Sequence, residues 1–187
     1  NIPTLQVYDN YMRLRSHNFS FSPYDFKYAK PFMLGSTMDL QHINTAISGI
    51  DYTYFRKVIK LPNAVDSIMA KNLFLVMKAG INVVAGTDAG NIGTHHGSSF
   101  LKELELMKAA GLSEWEILKS CTINAAKGFG KEKEWGSLEK NKIADILLLE
   151  KNPLESLSAL NDIPTVIHRG VILKTVELLP SSPEILV

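Results

Sequence analysis

The stretch Ile81-Asn82-Val83-Val84-Ala85-Gly86-Thr87-Asp88-Ala89-Gly90 constrains this chain more than any other. A short, β-branched run between Gly80 and Gly86 reads as a buried strand, too short for a helix and punctuated by glycine at both ends. It closes in small residues and raises one carboxylate, Asp88, at its tip. Catalytic carboxylates of α/β barrels sit at such strand ends, where a rigid element aims them into a cleft. An aspartate after a strand also serves as an Asx turn or as the cap of the next helix. The segments around it carry the decision.

Residues 64–79 read as a helix: Asn63 can cap it, Gly80 ends it, and Val65, Ile68, Met69, Leu73, Val76 and Met77 recur at three- and four-residue steps. Phe74 and Leu75 widen its apolar surface, which predicts cover on more than one side. A second helix spans residues 100–110, with Phe100, Leu101, Leu104 and Met107 inward and Lys102, Glu103, Glu105 and Lys108 toward water. Helix, strand and helix in that order form one step of a β/α barrel. Ser113-Glu114-Trp115-Glu116 has the form of a capping box and opens a third helix that turns Ile117 and Leu118 inward; a short fourth covers residues 123–127. From Trp135 the texture changes to strands, at residues 143–149 and in a hairpin of Thr165–His168 with Val171–Lys174 around Arg169-Gly170.

The first sixty residues are less regular. Residues 8–32 hold eight of the sixteen aromatic side chains, and their Ser and Pro content argues against one long helix. Such a segment either walls a substrate site or packs its rings onto the body of the protein. Residues 51–60 look helical. The composition is that of an ordinary globular chain, 45% hydrophobic and 21% charged. A net charge of +1 without a basic block gives no footprint for nucleic acid or an anionic membrane. No apolar run approaches the roughly 18 residues of a membrane span. The single cysteine, Cys121, excludes an internal disulfide and reads as an apolar core thiol.

Four segments then recur in fixed order: Gly86-Thr87-Asp88-Ala89, the run from His96-Gly97 to Leu112-Ser113, Thr122-Ile123-Asn124-Ala125-Ala126-Lys127, and Gly136-Ser137-Leu138 followed by Lys142-Ile143-Ala144-Asp145-Ile146. The first alone is weak, but the ordered set resembles the C-terminal part of the metal-dependent amidohydrolase superfamily, closest to its imidazolonepropionase-like and Xaa-Pro dipeptidase-like members. The resemblance runs from about Ile2 to Gly170. One departure is Asn141-Lys142 where the family has Gly-Lys, and asparagine tolerates the left-handed backbone nearly as well.

The resemblance implies an α/β fold: the C-terminal portion of a (β/α)8 (TIM-like) barrel over residues 1–130, with strands seven and eight and their helices, then part of a small β-sandwich over residues 131–187. Residues 1–7 correspond to strand seven. It implies a hydrolase of C–N bonds using a divalent metal, zinc foremost, with one or two ions in the full-length enzyme. There a metal-activated water attacks a carbonyl, and Asp88 is both metal ligand and proton carrier. His96-Gly97 matches a His-Gly on the loop above the catalytic face, which makes His96 a candidate for substrate binding. The implied substrate is a small molecule, a dipeptide or a cyclic amide.

The family also opens its barrel with a His-x-His pair. The five histidines here, His17, His42, His95, His96 and His168, include no such pair. The expectation is therefore a fragment, inactive alone, that associates with another copy or a complementary chain, its parent cytoplasmic, periplasmic or secreted. The competing reading is a non-catalytic truncated fragment or association module. His95 is expected to face solvent, His168 to be a surface or structural residue, and Asp145 to form a turn.

Overall fold

In the computed structural model, residues 1–15, 19–29, 31–40 and 62–175 are described. The expected helix at 51–60, together with His17 and His42, lies outside them. Two compact units divide the chain, Asn1–Ser113 and Glu114–Val187.

The first unit contains α1 (Leu5–Arg15), α2 (Pro23–Tyr28), α3 (Pro31–Leu40), α4 (Pro62–Lys78) and α5 (Ser98–Ala109). The aromatic-rich segment is thus broken into short helices, as its prolines require. Ser22 starts α2 with a capping box: its side chain accepts from the Asp25 N–H, and the Asp25 carboxylate takes the Ser22 N–H. Helix α4 spans Pro62–Lys78, so Asn63, expected ahead of it, lies within it. Proline's fixed φ and missing N–H suit that first position. Gly80, at φ 75°, ends the helix. Only Leu73 of α4 is buried among its described side chains, whereas Ile68 and Leu75 are more than half exposed. One face is covered, not several.

Helix α5 is the centre of this unit and packs against α1, α2 and α4. Leu104 and Met107 are buried with Leu5, Val7, Leu73, Val83 and Leu112. Phe100, expected inward, is exposed. Residues 81–88, expected to open as a strand, are assigned neither helix nor strand. The Val84 N–H donates to the Asn1 carbonyl at 2.9 Å, and the Asn1 nitrogen donates to the Asn82 carbonyl at 2.8 Å. That is the bonding pattern of a parallel pair, with Asn1 opposite Val83. The pairing ends early, because the chain turns helical at Leu5 and does not continue as a strand to Val7. Its cause is a carboxylate from α5, described below.

The second unit opens with α6 (Glu114–Cys121), starting directly after Ser113, and α7 (Ile123–Gly128). Ile117, Ser120 and Ala126 are buried. Burial raises the Cys121 thiol to about 11, which keeps it protonated and unreactive. A three-stranded antiparallel sheet follows in the order β1 (Ile146–Leu148), β2 (Thr165–His168), β3 (Val171–Lys174), with Ile146 opposite Ile167 and His168 opposite Val171. The first strand is shorter than residues 143–149. Its start is held off the ladder by Asp145, whose carboxylate accepts the Arg169 N–H at 2.8 Å, while the Gly170 N–H bonds the Ala144 carbonyl. Arg169 (φ 50°) and Gly170 (φ 83°) form the two-residue turn with both centres left-handed that matches the twist of the flanking strands. Asn141 takes the left-handed backbone at φ 72°.

Candidate functional site

Asp88 follows residues 81–85 and is exposed, with a left-handed backbone at φ 51°. Aspartate is one of the few side chains that tolerate that conformation. The Asn91 side chain fixes it, donating from Nδ2 to the Asp88 carbonyl at 2.9 Å. Asn91 is itself held from α1, where the Tyr11 hydroxyl donates to its Oδ1 at 2.8 Å. The loop is closed by the Gly90 N–H to the Thr94 carbonyl at 3.0 Å and the Thr94 N–H to the Asn91 carbonyl at 2.9 Å. Behind Asp88, Gly86 admits a close approach: a Cβ there would stand 2.7 Å from Ile2 Cγ2. Gly86 is therefore seated directly on Ile2.

His96 is exposed, and its Nε2 lies 3.9 Å from the position a Cβ on Gly90 would occupy. The fold thus folds His96 back over the loop that bears Asp88. His95 has the opposite fate. It is buried, contrary to the sequence expectation, with Nδ1 donating to Asp25 Oδ1 at 3.0 Å and Nε2 lying 3.1 Å from Thr37 Oγ1. Alternation in an extended segment sends neighbouring side chains to opposite sides. Helices α2 and α3 supply the polar pocket on the inner side. His168 is a surface residue, paired with Asp145 at 3.0 Å.

Asp25 also accepts from Ser98 Oγ at 2.5 Å and from Ser22. Burial alone would raise its carboxyl, but the hydrogen bonds from Ser98, Ser22 and His95 outweigh burial and lower it. A lowered carboxyl stabilises the folded form above the ordinary value of 3.8, and that contribution is lost as the pH falls through it. Asp25→Asn is accordingly expected to flatten the decline in stability between about pH 5 and pH 2, measured as denaturant midpoints at each pH.

Glu103, expected at the surface, is fully buried. Its Oε1 accepts the Leu5 N–H at 2.9 Å and its Oε2 the Gln6 N–H at 2.7 Å, so one carboxylate caps the first turn of α1. Burial raises this carboxyl above its ordinary 4.5, against the two backbone donors. Further along α1, Asn10 Nδ2 donates to the Gly93 carbonyl at 2.6 Å and to Thr94 Oγ1 at 3.1 Å, while Gln6 Nε2 donates to Asn10 Oδ1 at 2.9 Å. Tyr11, Asn91 and Glu103 are the site residues that sequence reading misses. The spacing of Glu103 on α5 matches Lys102 and Glu105, and nothing local marks it as different.

A cleft of about 420 Å³ lies between α1, residues 19–25 and α5, lined by Gln6, Asn10, Arg13, Phe21, Ser98 and Lys102 among others; Asp88 is not part of its wall. Of its charges, Arg13 pairs with Asp9 and Lys102 with Glu105 within their own helices, while Asp25 pairs with His95. Among the described residues, no three His, Cys, Asp or Glu side chains converge where a metal could sit. Asp88 can offer one ligand, and catalytic zinc takes three from protein. The described residues therefore do not by themselves make a metal site.

Comparison with known proteins gives the geometry its context. The chain is 31% identical over 121 residues to an imidazolonepropionase of Shouchella clausii, covering 61% of this chain and 27% of that protein. A putative prolidase from Bifidobacterium longum superposes with a TM-score of 0.57 at 26% identity, over 92% of this chain and 34% of the other. A Xaa-Pro dipeptidase with methionine bound in its active site gives a TM-score of 0.51 at 27% identity, over 57% and 25% of the two chains. The chain thus spans about a quarter or less of the length of the curated relatives it matches. Residues 45–176, well over half of the sequence and including Asp88 and His96, match the amidohydrolase family, whose members are generally metal-dependent hydrolases, and the chain belongs to that family.

Proposed function

We propose that the chain forms part of a metal-dependent hydrolase that cleaves C–N bonds of small molecules, dipeptides ending in proline or cyclic amides, with Asp88 as its proton carrier. The observation that supports this reading is the carboxylate itself: solvent-exposed, just after residues 81–85, with its backbone fixed by Asn91. A carboxylate held in that way can take a proton from an attacking water and return it to the leaving nitrogen, so one group serves both halves of the reaction. His96, folded over the same loop, is placed to donate to or accept from a polar group of the substrate. The ligands that complete a metal site come from outside the described residues, and the described chain by itself is inactive. The exposed apolar residues of its sheet, Leu147, Leu148, Val171 and Ile172, offer a surface to another copy or a complementary chain.

The test is hydrolysis by the full-length enzyme of a panel of Xaa-Pro dipeptides, other dipeptides and cyclic amides. Cleavage of the C–N bond is expected for at least one class, seen as a released amino acid for dipeptides or as the ring-opened product for cyclic amides, lost on chelation and restored by zinc or another divalent ion. A protein that binds divalent metal yet cleaves none of these would overturn the reading.

A further inference from the structure

We infer that Glu103 is a positioning residue for the reaction, setting the place of Asp88 through helix α1; the inference rests on the hydrolase reading above. Three observations carry it. The first is the bidentate cap itself, a fully buried carboxylate on the Leu5 and Gln6 N–H groups at 2.9 and 2.7 Å. It crosses from the helix that follows Asp88 to the helix that follows the neighbouring stub. The second is strain at the junction. Thr4, a β-branched residue, sits at φ 48°, a conformation such side chains avoid. A β-branched residue holds that backbone only where its surroundings over-determine it, and the Glu103 carboxylate supplies the anchor one residue later.

The third observation is where α1 leads. Its stub pairs with Asn82 and Val84 and presses Ile2 onto Gly86, two residues before Asp88. Its body holds the loop beyond Asp88, through Asn10 to Gly93 and Thr94 and through Tyr11 to Asn91, which bonds the Asp88 carbonyl. Both sides of Asp88 are thereby referred to one helix, and that helix is referred to Glu103. Glu103 touches neither substrate nor Asp88. Its effect passes through the backbone it holds.

Glu103→Gln tests this, since it keeps the shape but turns an amide N–H toward a backbone N–H and breaks one arm of the cap. Amide exchange is read at three places. Leu5 and Gln6 are expected to exchange faster for any local cap. The Val84 amide, bonded to Asn1, is expected to exchange about tenfold faster or more only if the clamp reaches the segment that leads to Asp88. Amides of α6, in the other unit, are expected to be unchanged. In the full-length, metal-loaded enzyme the same variant is expected to lower kcat about 10–100-fold with KM within roughly twofold, since misplacement acts on the transition state. Adding Thr4→Gly, which removes the backbone strain, is expected to restore part of that loss.

If Glu103→Gln does not accumulate, Glu103→Asp, with the charge kept and the reach shortened, is read in the same way. Faster exchange at Leu5 and Gln6 with Val84 unmoved, or full kcat in a folded Glu103 variant beside an inactive Asp88→Asn, overturns the inference and leaves the hydrolase reading standing. Full activity in Asp88→Asn overturns the hydrolase reading instead, and the Val84 amide still reports on the clamp.

Discussion

Replacing Asp88 by asparagine in the full-length, metal-loaded enzyme is expected to lower turnover by about 10²–10⁴-fold while leaving the fold intact. Asparagine has nearly the same shape and tolerates the same left-handed backbone, so φ 51° remains accessible. The side chain is exposed, and among the described residues its carboxylate accepts no hydrogen bond. Its backbone partner, Asn91, bonds the carbonyl and not the carboxylate. Little folding energy therefore depends on the charge. On the proposed mechanism what disappears is the proton acceptor, and any metal ligation by the carboxylate would add to the loss. Steady-state kinetics beside a thermal melt make the check. A wild-type turnover in a well-folded variant would remove Asp88 from the chemistry.

Gly136→Ala is expected to destabilise the second unit by about 2–4 kcal/mol. At φ 97° the backbone of Gly136 is one that L side chains rarely adopt. An added Cβ would also stand 2.8 Å from Ala126 Cβ, 3.0 Å from Ile123 Cα and 3.1 Å from the Thr122 carbonyl oxygen. Two of those three are backbone atoms, and Ala126 is fully buried, so the neighbours have nowhere to yield. Gly130→Ala separates the two causes. Its φ is 67°, but nothing lies within 4 Å of the added methyl, so strain alone at about 1–2 kcal/mol is expected. Denaturant midpoints of the two variants give the comparison. Equal losses would show that the contact with α7 contributes nothing.

The same glycine shows where sequence reading succeeds and where it stops. Gly136-Ser137-Leu138 was one of the segments by which the chain resembles its family, yet the motif alone does not say why glycine stands there. The reason is a contact with a helix that ends eight residues earlier, visible only once the chain has turned back on itself.

Local order was legible because it depends on near neighbours. The helical periodicity of residues 64–79, the start of α6 after Ser113, the turn at Arg169-Gly170 and the left-handed Asn141 follow from spacing, capping and backbone preference within a few residues. The 81–85 run was read as a strand from its β-branched residues and flanking glycines, but it is assigned no strand: its backbone pairs only with Asn1, and a full ladder needs neighbours that sequence does not name.

Tertiary structure decided the rest. Glu103 stands among surface charges on its helix and is nonetheless fully buried, because the bare N–H groups of α1, almost a hundred residues earlier in the chain, need an acceptor. The same demand ends the stub at Leu5, where the family resemblance implied a strand as far as Val7. His95 and His96 are identical neighbours in sequence, and only the polar pocket formed by Asp25 and Thr37 determines which one is buried and which one remains over the Asp88 loop. Periodicity tells which side chains share a face. It carries no information about which unsatisfied donor that face will meet, because that donor belongs to a distant part of the chain.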